Sequence, residues 1–151
     1  MSDGAPLLSL CMATCLRADL FPESLRGLLR QTYSPLEIIV LVDGSNPESL
    51  EALRTCGDPR VRWITTDKPS GMVPAWNRVC GEAKGEYLLF CADDDVLTDG
   101  AVDEQVALME EHANVVFCHA DFTFMDDEGK ELSRSISPSG RFVRLGAQTG
   151  P

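Results

Sequence analysis

The run Leu36-Glu37-Ile38-Ile39-Val40-Leu41-Val42 is almost continuously apolar, rich in β-branched residues and closed by the turn signal Asp43-Gly44-Ser45-Asn46. A strand that alternated polar and apolar would have one wet face; this one predicts a strand covered on both faces, as in a parallel sheet sandwiched by helices. The rest of the chain keeps the same rhythm. Leu7-Leu8-Ser9-Leu10-Cys11-Met12, Val61-Arg62-Trp63-Ile64-Thr65, the segment 87–92 and Val115-Val116-Phe117-Cys118 read as further strands. Between them lie amphipathic stretches of helical length. Asp19 is placed to cap a helix carrying Phe21, Leu25, Leu28 and Leu29 on one face, and Pro47 suits the first turn of a helix through Leu50 and Leu53. Pro74 opens a helix with Trp76, Val79, Cys80 and Ala83 on one face, with Gly85 as its stop, and Thr98 is placed to cap another with Val102, Val106 and Met109. A hairpin follows, from Phe122-Thr123-Phe124 through the turn Asp126-Asp127-Glu128-Gly129 into 131–136. Strand and helix in alternation predict an α/β fold with a mostly parallel sheet over residues 1–136, and 137–151 reads as a loop or frayed tail.

Charge narrows the ligands. The 151 residues carry 13 Lys+Arg against 24 Asp+Glu, a net charge of −11, which excludes sequence-independent binding to nucleic acid or to anionic lipid. A phosphate-bearing ligand must therefore bring its own cation. No stretch approaches the ~20 apolar residues of a membrane span, and the N-terminus lacks the basic region of a signal peptide. The six cysteines contain no Cys-x-x-Cys pair and are expected as reduced core residues of a cytoplasmic protein.

Open parallel sheets bind ligands beyond the carboxyl ends of their strands. Thr14, Asp43 and Asp93-Asp94-Asp95 all fall at such ends. Adjacent carboxylates repel, which raises the pKa of at least one unless a cation is present, and their hard oxygens select Mg²⁺, Mn²⁺ or Ca²⁺; the alternative is a solvated, inert turn ahead of a helix. Asp43 can accept from a nucleobase imide or a ribose hydroxyl, with Gly44 allowing close approach to the backbone, or it can simply close an Asx-turn. No phosphate-cradling Walker loop is present, and no Gly-x-Gly-x-x-Gly follows the first strand.

Taken in order, Ala13-Thr14-Cys15-Leu16-Arg17, Leu28-Leu29-Arg30-Gln31-Thr32-Tyr33, the strand 36–42 with Asp43-Gly44-Ser45, Trp76-Asn77, and 83–92 with Asp93-Asp94-Asp95 resemble family 2 glycosyltransferases. The resemblance implies a GT-A fold and inverting transfer of a sugar from a nucleotide diphosphate donor. It implies that Ala13, Thr14, Asp43, Gly44, Asn77, Asp93 and Asp94 bind the nucleotide sugar, with Asp43 at the nucleobase. It also implies that Asp94 and Asp95 hold Mn²⁺ or Mg²⁺ on the diphosphate. Departures are Ala92 at the first acid of the Asp-x-Asp motif, Val42 at the first acid of Asp-Asp-Gly-Ser, and Trp76 where the family has Arg. The family's catalytic base lies in its second half, so the base is expected beyond residue 151 and the chain reads as truncated before the acceptor-binding half. The resulting expectation is a glycosyltransferase, inactive as this fragment alone, acting on an unidentified saccharide, lipid or protein acceptor. The competing expectation is a non-catalytic GT-A-like binding module. The expected location is the cytoplasm, or the inner face of a membrane reached through other regions.

Overall fold

A computed structural model describes residues 4–16, 19–126 and 129–135. Arg17, Asp127, Glu128 and the expected tail 137–151 lie outside the described residues, as does residue 136 of the expected hairpin. The chain divides into two units, Met1–Gly100 and Ala101–Pro151.

The first unit is built on β1 (Leu8–Thr14), α1 (Phe21–Leu29), β2 (Leu36–Val42), α2 (Pro47–Thr55), β3 (Val61–Thr65), α3 (Met72–Gly81) and β4 (Tyr87–Phe90). Its four strands are all parallel, in the order β3-β2-β1-β4. The register sets Leu8 beside Leu36 and Thr14 beside Val42, with Leu8 beside Tyr87 and Cys11 beside Phe90 on the other flank of β1. Strands β2 and β3 have the bounds read from the sequence, and β2 is buried except at Glu37, as its nearly continuous apolar run requires. Side-chain alternation divides the core between two faces. Cys11, Ile39 and Leu41 pack with Ala75 and Val79 of α3. Leu10, Met12, Ile38 and Val40 are fully buried on the opposite face, which right-handed crossovers assign to α1 and α2.

Helix starts differ from the sequence reading, for local reasons. Helix α1 begins after Leu20 with no side-chain cap, so Asp19 does not serve as one. In α2, Asn46 accepts from Ser49 N–H at 3.1 Å, a standard N-cap. Helix α3 starts at Met72 behind Gly71, whose φ of 92° needs a glycine, so Pro74 sits inside the first turn rather than opening it. The same helix ends at Gly81. Gly85, expected as its stop, instead lets two strands close up: a Cβ there would stand 2.5 Å from Ser9 N. Ser9 Oγ accepts from Gly85 N–H at 2.8 Å and donates to Glu37 at 2.5 Å, and Glu37 accepts from Lys84 N–H at 2.7 Å, lacing β1, β2 and the approach to β4 together at their amino ends.

The second unit holds α4 (Ala101–Glu111) and a two-stranded antiparallel sheet of β5 (Phe122–Met125) and β6 (Glu131–Ser135), the expected hairpin. Helix α4 begins three residues after Thr98, which therefore does not cap it. The expected strand 115–118 carries no regular structure: Val116 is 82% exposed, and β-branched composition does not make a strand without a ladder partner. No helix among the described residues is long and apolar enough to cross a membrane. All six cysteines are free; Cys11 and Cys91 are buried, and the other four only half-buried.

Candidate functional site

In the order β3-β2-β1-β4 the chain builds outward from β1 in one direction and then returns to its other side. This makes the carboxyl ends of β1 and β4 the switch point where an open α/β sheet has its crevice. The β1 loop and the acidic turn meet there. Asp43 N–H donates to the Thr14 carbonyl at 2.8 Å, and Cys91 N–H donates to the Cys11 carbonyl at 3.0 Å, so both neighbours of β1 are tied to it up to the site. Asp43 directly follows β2 and Asp93 lies three residues beyond the end of β4, the two strands that flank β1. The half-buried Cys15 thiol between them is pushed up by burial and then by the charges of Asp43 and Asp93.

The Asp43 corner is closed. Asp43 is 2% exposed and accepts from Thr66 Oγ1 at 2.8 Å, Ser70 Oγ at 2.9 Å, Ser70 N–H at 2.8 Å and Gly71 N–H at 3.2 Å. Burial alone would raise its pKa; the bonds from Thr66, Ser70 and Gly71 outweigh it and hold the carboxyl below the usual range. A carboxylate has about four acceptor sites, and the loop 66–71 fills them. The space above Gly44 is also taken, since a Cβ there would stand 2.9 Å from Pro69 Cγ. Thr66, Pro69 and Ser70 were not singled out from the sequence: they lie more than twenty residues from Asp43, and no spacing rule links them.

Thr14 is placed by its backbone. Ala13 packs toward α3, so alternation turns the Thr14 side chain to the opposite face, where its buried Oγ1 has no hydrogen-bond partner among the described residues. Leu16, which follows in the same loop, is 73% exposed and has a φ of 58°, a left-handed conformation costly for a branched side chain. Asn77 is exposed on α3, roughly 9 Å along the helix axis from Gly71. Trp76 stacks edge-on against Phe90, ring centres 4.7 Å apart, and so packs α3 against β4.

The acidic turn is open. Asp94 and Asp95 are exposed and Asp93 is half-buried. Partial loss of hydration, then the charges of Asp94 and Asp93, push the Asp95 carboxyl above its usual range. Beneath the turn, burial and then these three carboxylates push the Cys91 thiol up to about 12, so it stays a neutral thiol. The donor set is therefore hard oxygen, which fits Mg²⁺ or Mn²⁺. Among the described residues no group of three His, Cys, Asp or Glu is already gathered to hold a metal ion, so a cation here would need oxygens from a ligand as well.

Comparison with known proteins decides the family. Glycosyl transferase family 2 matches residues 9–150. The chain belongs to that family. An uncharacterized glycosyltransferase of Rickettsia bellii is 32% identical over 132 residues, which are 85% of this chain and 19% of that protein. Among solved structures, S. aureus TarS in complex with UDP-GlcNAc superposes with a TM-score of 0.65 at 22% identity, over 70% of this chain and 32% of that one. A mannosyltransferase from Pyrobaculum calidifontis in complex with GDP-Man and Mn²⁺ gives 0.55 at 23% identity, over 62% and 29%. These likenesses show the fold, the parallel α/β sheet of GT-A glycosyltransferases. The chain spans between 19% and 51% of the length of the first curated relatives it matches.

Proposed function

We propose that this chain forms the donor-binding region of a metal-dependent, inverting glycosyltransferase that takes its sugar from a nucleoside diphosphate. The observation that carries the reading is the open acidic turn at the switch point, two strands from the closed Asp43 corner. In this reading Asp94 and Asp95 hold Mn²⁺ or Mg²⁺ together with the donor diphosphate, and Asp93 lies toward the ribose. Bound there, a divalent cation supplies charge neutralisation on the leaving diphosphate. Asp43 keeps the loop 66–71 folded at the base side, and a direct bond from the nucleobase to its carboxylate requires one of the four loop donors to yield. Ala13, Thr14 and Gly44 shape the floor by their backbone, and Asn77 is a polar group that α3 offers. The acceptor class is not specified by these residues.

Two observations support the reading: the solved relatives of this fold hold UDP-GlcNAc or GDP-Man with Mn²⁺, and the donor set of the turn suits such an ion. The test is the melting temperature of the chain with millimolar UDP, GDP or dTDP, each with and without Mn²⁺. A ligand that binds only the native state raises it according to RT ln(1 + [L]/Kd). The expected result is a rise that needs nucleotide and metal together and disappears in Asp94→Asn. No rise with any of the three nucleotides overturns the donor-binding reading.

A further inference from the structure

The acidic turn does not rest on the sheet alone. Past Cys91 the chain runs along one stripe of α1. Ser24 Oγ donates to the Asp93 carbonyl at 3.0 Å. Gly27 leaves room for the next residues: a Cβ there would stand 3.1 Å from Leu97 N, 3.2 Å from Val96 Cγ1 and 3.3 Å from Leu97 O. Gln31, just past the helix, donates from Nε2 to the Thr98 carbonyl at 2.9 Å and to its own Gly27 carbonyl at 3.1 Å. Ser24 and Gly27 lie three residues apart on one face of α1, and Gln31, just beyond its C-cap, reaches back to the Gly27 carbonyl and continues the line. All three are buried, where apolar residues are the usual choice, and each meets the same segment. The line is itself anchored. The Arg60 guanidinium donates to the Leu29 carbonyl at 2.8 Å and the Gln31 carbonyl at 2.6 Å while paired with Asp58 at 2.6 Å.

We propose that Ser24, Gly27 and Gln31 form a positioning seat for the acidic turn. Ser24 fixes the peptide between Asp93 and Asp94, and with it the direction in which the Asp94 side chain leaves the backbone; Gly27 and Gln31 fix the path that follows. Neighbouring carboxylates that repel separate by backbone rotation unless something holds the chain. The seat holds them on one turn, near enough for the charges of Asp93 and Asp94 to act on Asp95, so their repulsion remains to be relieved by a cation. This inference rests on the acidic turn being the cation and diphosphate site.

The test uses the full chain as wild type, Ser24→Ala, Ser24→Thr and Gln31→Met. Three quantities are measured: ligand-free melting temperature, ligand-free amide exchange over 93–98, and the Mn²⁺ dissociation constant by calorimetry at saturating UDP, repeated with GDP. Ser24→Ala is expected to speed exchange at Asp94 and Asp95 and to raise the Mn²⁺ dissociation constant about tenfold, the lower end for groups that orient metal ligands. Its melting temperature stays near wild type, and Ser24→Thr, which keeps the hydroxyl, restores the affinity. Gln31→Met gives the same pattern more weakly and replaces Ser24→Ala if that variant does not fold. Faster exchange with unchanged Mn²⁺ affinity overturns the seat, because packing alone would produce it. Wild-type chain that binds no Mn²⁺ with either nucleotide overturns the donor-binding reading and the seat's purpose with it, and that failure is visible before any variant is compared.

Discussion

Two carboxylate sites face each other across the end of β1, and they are opposites. At the end of β2, Asp43 is buried and its oxygens are taken up by donors of its own chain. At the end of β4, Asp94 and Asp95 are exposed, and partial loss of hydration, then the charges of Asp94 and Asp93, push the Asp95 carboxyl up. A carboxylate satisfied from within is part of the scaffold; one burdened by its neighbours stores unfavourable energy that a cation releases. Sequence alone presents both as aspartates at strand ends, and only their partners tell them apart.

The largest expected effect breaks the closed corner. Asp43→Ala leaves Thr66, Ser70 and Gly71 without their acceptor and is expected to lower stability by about 3 kcal/mol in urea denaturation. A loss no larger than that of an ordinary surface substitution would mean that the loop 66–71 does not depend on Asp43.

Acid titration separates the two sites by sign. The folded pKa of Asp43 is lowered, so its contribution is fully present above the unfolded value and is lost as pH falls through the folded one. The folded pKa of Asp95 is raised, so its ionisation opposes folding above that value, and acidification relieves the opposition down to the unfolded value. Stability of the metal-free chain is therefore expected to rise slightly as pH falls toward the usual carboxylate range, then to drop below it. Asp95→Asn should abolish the rise and keep the drop. A rise that survives in that variant would assign it elsewhere.

Smaller effects sharpen the contrast. Gly44→Ala meets Pro69 and a φ of 94° together and is expected to cost about 2 kcal/mol. Thr14→Val removes a buried hydroxyl that lacks a partner among the described residues and is expected to gain roughly 1 kcal/mol; a loss would reveal a bond to that oxygen. Asp94→Asn, on the open side, is expected to change metal-free stability by no more than about 0.5 kcal/mol while removing the response to nucleotide with Mn²⁺. These three are read from the same denaturation curves.

What the sequence disclosed follows the range of the forces involved. Strands β2 and β3 and the amphipathic faces of α1 and α3 were legible because hydrophobic period is local, and the acidic triplet was legible because its residues adjoin. The partners of Asp43 and the α1 stripe were not, since Thr66 lies 23 residues from Asp43 and Thr98 lies 67 from Gln31. Gln31 enters the sequence reading only within the run 28–33, although it is buried and its Nε2 donates to two carbonyls, those of Gly27 and Thr98. The segment 115–118 failed in the reverse sense: composition favours a strand there, but strand formation is decided by a neighbour.

The lacing of Ser9, Glu37, Lys84 and Gly85 lies at the amino ends of the strands, whereas the site lies at the carboxyl ends, about 20 Å away along β1. Beyond that lacing the two flanks of β1 differ: β2 stays laddered to it as far as Thr14 and Val42, whereas β4 is paired with it only as far as Cys11 and Phe90. Asp43 is therefore carried on the flank stitched along its whole length, and the acidic turn on the flank whose stitching stops short of the site.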